Sequence, residues 1–197
     1  MKIIDRFHPQ FRRAISLVTA LLVVGAVACE DPFEPTADFS TVETTYEIWA
    51  LTGSPTAFPT VLLVPQRLVV RPDAAGSFDL GFDIDLTGRL VVHPVTKVVE
   101  ALGGPRSIGI IRATDAYDSV TAAPRTGWAL DSTFTFDVGE TFVVRVETLF
   151  CSGTLFREVY AKYRVDSLIP AERRIKLTGR VNPNCGFRSF ATGIPTF

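Results

Sequence analysis

His93 and the carboxylates Asp79, Asp83 and Asp85 are the side chains of this 197-residue sequence best suited by type and spacing to do chemistry. A Ser/His/Asp hydrolase would have to be built on His93, since the only other histidine is His8. Such a site needs a nucleophile raised on a tight elbow, and no Gly-x-Ser-x-Gly motif is present. Cys151-Ser152-Gly153 reads as a turn. His93, followed by Pro94 at the end of an apolar strand, reads as a strand-end residue touching solvent. The three aspartates offer the hard oxygen ligands that calcium takes. Alternation puts them on one face of one strand, where positions two apart stand roughly 6.5 to 7 Å from each other. Neighbouring carboxylates at that spacing cannot share an ion without ligands from loops. Asp79, Asp83 and Asp85 are therefore weak metal candidates that read as a solvated acidic face. Gly103-Gly104-Pro105 lacks the Gly-Lys-Ser/Thr ending of a phosphate loop and reads as a turn. Neither a CxxC nor a Cys/His cluster exists to hold zinc. No catalytic residue and no cofactor is expected.

The N-terminal residues read as an address. Lys2, Arg6, Arg12 and Arg13 precede the uncharged stretch 14–25, which ends in Ala26-Val27-Ala28 before Cys29. Basic, apolar and small residues in that order have the grammar of a secretory signal. The apolar part is about a dozen residues long, against the roughly 20 that a membrane-spanning helix needs. Residues 1–28 are expected to be removed. Ala26-Val27-Ala28-Cys29 resembles the lipobox of bacterial lipoproteins, which usually carries Leu where this chain has Ala26. The resemblance implies that Cys29 becomes the first mature residue and is acylated, so that two or three acyl chains anchor it durably in a membrane. It also implies the outer membrane. Glu30 and Asp31 follow the anchor, without the Asp at the second mature position that favours inner-membrane retention in lipoproteins of enteric type. If Cys29 carries lipid, Cys151 and Cys185 are the two cysteines left over, and they are expected to pair as a disulfide in an oxidising compartment.

Residues 29–40 are Pro-rich and acidic with no periodicity, and read as a lipidated tether. Residues 41–197 fall in the size range of a single domain with a substantial core. The net charge of the whole chain is −1, and part of its basic count lies in the removable signal. A mildly acidic mature protein argues against electrostatic nucleic-acid binding.

From residue 41 onward the apolar pattern has period two, which predicts an all-β domain, an antiparallel sandwich or barrel. Strands are expected near 42–51, 67–71, 89–92, 107–113 and 117–122. Leu80, Phe82, Ile84 and Leu86 form one inner phase, and residues 128–138, with Phe134 and Phe136, form one continuous half-buried strand. Three long segments, 140–150, 154–168 and 173–181, are separated by Ser152-Gly153 and Pro170-Ala171, and predict a C-terminal meander. In strict register Cys151 and Cys185 would sit two strand spacings apart, so the disulfide requires the tail after Asn182-Pro183-Asn184 to fold across the middle strand.

Ile175, Leu177, Gly179 and Val181 should face the core, leaving Arg173, Arg174, Lys176 and Arg180 as a cationic outer row. That row could meet acidic partners or lipid headgroups, but on a terminal strand it reads as protection against edge aggregation. Trp49 lies on the phase opposite Tyr46 and Ile48, outward or under a second layer, where a sugar or apolar ligand platform is conceivable. Phe187 and Phe190 should pin the tail to the end of the domain beside the disulfide. These features favour a non-enzymatic, lipid-anchored cell-envelope domain that binds an envelope protein or glycan or plays a structural role. The alternatives are a lipocalin-like carrier of a small apolar ligand and a hydrolase using His93.

Overall fold

Alternation in the first strand sets the pattern for the whole domain: Tyr46 and Ile48 turn into the interior while Glu43 and Glu47 remain outside. The computed structural model describes residues 37–75, 77–98, 107–148, 151 and 157–195. The expected signal peptide, Cys29, most of the tether, and the turns at Gly103-Gly104-Pro105 and Ser152-Gly153 lie outside these residues. The described strands are β1 (Val42–Trp49), β2 (Val61–Leu63), β3 (Leu68–Val70), β4 (Leu80–Ile84), β5 (Leu90–Pro94), β6 (Ile108–Arg112), β7 (Ala129–Leu130), β8 (Phe134–Phe136), β9 (Thr141–Glu147), β10 (Glu158–Ile169) and β11 (Arg174–Asn182).

They form two antiparallel sheets, one in the order β1-β11-β10-β9-β6-β7 and the other in the order β3-β2-β4-β5-β8. The sheets share no strand ladder and bury one core between them, which makes the domain a sandwich. The interior is filled by side chains from both sheets. Phe136 of β8 stacks on Phe142 of β9 at 4.6 Å, Phe142 lies 5.3 Å from Tyr163 of β10, and Tyr163 meets Tyr46 edge-on at 5.8 Å. Gly179 of β11 lies under this ladder, where a Cβ would run into the Tyr163 ring. Burial of such rings is the largest favourable contribution a core of this kind can have.

The meander β9-β10-β11 is present as expected, with a bulge in β10 between Val165 and Ser167. Pro170–Glu172 makes a helical turn, and Arg173 adopts a left-handed conformation to start β11. Beyond Asn182 the tail crosses the middle strand, with the Gly186 amide donating to the Glu158 carbonyl at 2.9 Å. Cys185 thereby reaches Cys151 at disulfide geometry, with a Cα separation of 5.7 Å.

Several expectations require correction. Residues 128–138 are not one strand: β7 pairs with β6 in the six-stranded sheet and β8 with β5 in the five-stranded one. The chain changes sheet at Asp131, whose positive φ of 45° breaks the extended run. Residues 117–122 begin as a short helical turn, Tyr117–Ser119, rather than as a strand. β4 ends at Ile84, so Leu86 lies in a turn and is fully exposed. β11 is flanked on both sides, by β1 and β10, and is no edge. Two members of its cationic row pair with neighbouring carboxylates: Arg174 with Glu47 and Glu172, both at 2.7 Å, and Arg180 with Glu43 at 3.1 Å. The tether also ends earlier than Ser40, because Asn184 holds residues 38 and 39. Its Oδ1 accepts the Asp38 and Phe39 amides at 2.9 and 3.0 Å, and its Nδ2 donates to the Phe39 carbonyl at 2.7 Å.

Candidate functional site

β4 and β5 bring Asp83 and His93 to the outer face of the five-stranded sheet, because both belong to the phase opposite Phe82, Ile84 and Val92. They border a surface depression of about 420 Å³ whose other walls include Thr52, Leu86, Val91 and Arg173. Thr52 lies just past β1 and Arg173 just before β11, so the depression is where one end of the six-stranded sheet meets the other sheet.

Its polar groups bind one another. Arg173 donates through Nε to the Thr52 carbonyl and through Nη1 to the Ile84 carbonyl, both at 2.9 Å, and its Nη2 pairs with the Asp83 carboxylate. Thr52 Oγ1 donates to Asp83 at 2.8 Å and accepts from Arg173 Nη2 at 3.0 Å. Asp83 also accepts the Ile84 amide at 2.8 Å. This is a charge-assisted network in which every partner fixes another. His93 Nδ1 lies 3.2 Å from Thr133 Oγ1. Burial pushes the imidazole below its ordinary pKa against a weaker opposing pull from Asp83, which favours the neutral ring. Thr52 is the one hydroxyl among the residues lining the depression, and it is held between a carboxylate and a guanidinium. The hydroxyl within hydrogen-bond reach of His93 is that of Thr133, which is not among the lining residues.

The three sequence-nominated aspartates go to three different tasks. Asp79 is buried, not solvated: it lies just before β4, where its Oδ2 accepts the Val64 amide at 2.7 Å. Asp83 belongs to the network with Arg173. Asp85 Oδ1 accepts the amides of Thr87 and Arg89 at 2.8 and 2.9 Å and so organises the β4–β5 turn. The Arg89 amide and then the Thr87 hydroxyl hold its carboxyl below the usual carboxylate range. Among the described residues no cluster of three or more His, Cys, Asp or Glu is placed to hold a metal ion. Trp49 is half-buried and stacks on Phe58 at 4.8 Å, so one face of its ring is already covered from the β1–β2 connection.

Sequence reasoning missed a second assembly, on the outer face of the six-stranded sheet. Lys162 of β10 is buried there beneath residues 117–123 and the C-terminal tail. Its ammonium donates to the Tyr117 and Val120 carbonyls at 2.6 and 2.9 Å and lies 4.1 Å from the Tyr117 ring centre. Burial, then repulsion from Arg180, lowers its pKa. Phe190 packs in this layer with Val143 and Tyr160, on the sheet's outer face rather than at the end of the sandwich. A lysine in a strand is ordinarily a solvent residue, so only the buried carbonyls facing it reveal its role. Among the described residues no helix is long and apolar enough to cross a membrane. No protein-family model matches the chain, and neither the curated proteins nor the solved structures include one similar to it.

Proposed function

We propose that this chain is a lipid-anchored, non-enzymatic domain of the cell envelope, held in the outer membrane through Cys29, with a binding or structural role. The observation that carries this reading is the pairing geometry of Cys151 and Cys185, 5.7 Å apart at Cα. A disulfide suits an extracytoplasmic, oxidising location. It also uses two of the three cysteines and leaves the one that directly follows Ala26-Val27-Ala28. The non-enzymatic part of the reading is supported by the depression at His93, where the hydroxyl and the carboxylate with the guanidinium are committed to one another.

The test is an intact mass of the mature protein purified from bacterial membranes. The expected species starts at Cys29, carries acyl chains, and is two hydrogens lighter at Cys151 and Cys185. An unacylated mature chain, or free thiols at both positions, overturns the anchor. Pull-down with the acylated protein from solubilised envelopes is expected to yield a reproducible partner, and a measured turnover in its absence would overturn the non-enzymatic reading.

A further inference from the structure

Among the described residues β1 is the one long free edge of the sandwich. The other outer strands, β3, β7 and β8, have two or three residues each, while β1 runs for eight without proline, glycine or lysine and in unbroken register with β11. Bond direction alternates along it. The Ala50 amide donates to the Arg173 carbonyl in continuation of the β1–β11 ladder, so the even-numbered residues bond toward β11. The odd-numbered ones turn their N–H and C=O groups to the opposite side. Both ends of that side are taken: the Thr41–Gly193 bridge has two bonds, at 2.7 and 3.3 Å, and the Trp49 amide donates to the Pro59 carbonyl at 3.0 Å. Between them Glu43, Thr45 and Glu47 are exposed, and no described group binds their backbone. Natural sheets close such an edge with a bulge, a proline or a lysine, or keep it very short. Here only the two ends are closed.

We propose that the edge of β1 from Glu43 to Glu47 receives an extended, basic segment of a partner polypeptide as an added strand of the six-stranded sheet. A guest of about five residues lying antiparallel exchanges hydrogen bonds with the N–H and C=O groups of all three edge residues. Main-chain bonding of this kind is indifferent to sequence, so side chains set the choice. Guest residues opposite Glu43 and Glu47 stand beside the two carboxylates on the sheet's outer face. Arg180 and Arg174 bind those carboxylates from the β11 side, and each carboxylate is more exposed than the arginine it meets. A lysine or arginine at the first and fifth guest positions therefore completes rows of alternating charge across three strands. A second copy of this chain fits less well. The register that engages all three residues of both edges puts Glu43 of each copy opposite Glu47 of the other. It also drives β1 of one copy into Gly193 and Pro59 of the other, which already hold Thr41 and Trp49. A short guest meets neither obstacle. The inference goes beyond the lipid anchor and does not use it.

The experiment uses the chain as purified from membranes, in detergent and with its disulfide intact. The probes are the blocked peptide acetyl-Lys-Val-Thr-Val-Lys-amide and its charge-reversed counterpart acetyl-Glu-Val-Thr-Val-Glu-amide. Amide exchange read by NMR is expected to slow at Glu43, Thr45 and Glu47 when the basic peptide is added, with β3, β7 and β8 unchanged. The acidic peptide should need about tenfold higher concentration for the same protection. Thr45→Pro removes a donor that points away from β11, so it spares the sheet's own ladder and is expected to abolish the effect. Where that variant folds poorly, Glu43→Lys combined with Glu47→Lys supplies the check, and the preference must pass to the acidic peptide. No slowing with either peptide, or equal slowing with both, overturns the proposal. Protection of these three amides without peptide, rising with protein concentration alongside a dimer mass, assigns the edge to a second copy and overturns the peptide as its occupant. Each of these failures leaves the anchor standing, because acyl mass on Cys29 is measured separately.

Discussion

Arg173, the left-handed residue that opens β11, reaches out of its own sheet and pairs with Asp83 on the outer face of the other. Both side chains are mostly shielded from solvent, and the guanidinium also binds two carbonyls and Thr52 Oγ1. Removing one member leaves the other buried without its counter-charge, which costs far more than loss of a surface pair. Arg173→Ala is expected to lower unfolding free energy by about 2 kcal/mol, discounted for partial exposure. Urea unfolding of Arg173→Ala, Asp83→Ala and the double variant checks this. The double variant should cost much less than the sum of the singles.

Gly179→Ala should be among the most damaging single-methyl changes in the domain. The new Cβ would meet the Tyr163 ring directly and come within 3.0 Å of Tyr46 Cε2, inside the packed aromatic ladder. Overpacking of this kind costs about 1 to 3 kcal/mol. Removing the obstruction with Tyr163→Leu in the same chain should recover part of the loss, read from the denaturation midpoint.

Tyr163 suggests a stabilising change as well. The residue is fully buried, its hydroxyl finds no partner among the described residues, and burial drives its pKa well upward. An unsatisfied buried hydroxyl is a cost that a matching apolar ring does not carry. Tyr163→Phe is expected to be neutral to about 1 kcal/mol more stable. A loss above that size would show that the hydroxyl is satisfied in solution.

His93 should make the fold sensitive to mild acid. Its folded pKa lies below the ordinary 6.5, chiefly through burial. As pH falls below 6.5, the unfolded chain takes up a proton that the folded one does not yet hold, so acidification favours unfolding. The contribution is fully present above that pH and is lost progressively down to the folded pKa. Between pH 7.5 and 5.5, His93→Asn should show a smaller fall in urea midpoint than the parent. Identical falls would remove His93 from the pH response.

Replacing both Cys151 and Cys185 by serine opens a link across 34 positions of chain. Chain-entropy arguments put the loss at about 3 to 4 kcal/mol, subject to strain and solvation. For a domain of this size that is a melting temperature lower by roughly 10 °C. Limited proteolysis should cut the tail first, because without the bond it is held only by non-covalent contacts such as those of Asn184 and the buried Phe187.

The sequence made the strands legible because period two is a local signal. β1, β6 and the meander β9-β10-β11 all follow from it, and so does the need for the tail to cross the middle strand before Cys185 can meet Cys151. Sheet membership was not legible. Alternation in residues 128–138 continues through the change of sheet at Asp131, since a side-chain phase does not say which neighbour a strand joins. Val61–Leu63 is too short to show any period. Asp79 looked like an outward residue because its parity matches Asp83, but it precedes the strand and is turned inward by the Val64 amide. The site was half legible: Asp83 and His93 were nominated together with its strand phase, while Thr52 and Arg173 arrive from turns 31 and 90 positions away from Asp83. No local pattern encodes that meeting.

The position of β1 also governs when the fold can be completed. The first strand pairs along its whole length with β11, the last, across more than a hundred intervening residues, and the Thr41–Gly193 bridge repeats that closure. The six-stranded sheet can therefore acquire its outer strand only after Asn182 has been made and has emerged on the same side of any barrier the chain must cross. Contacts so distant in sequence form slowly. A chain built this way stays unfinished until its final residues arrive, which is the condition a polypeptide needs if it is threaded through a membrane unfolded and becomes a domain on the far side.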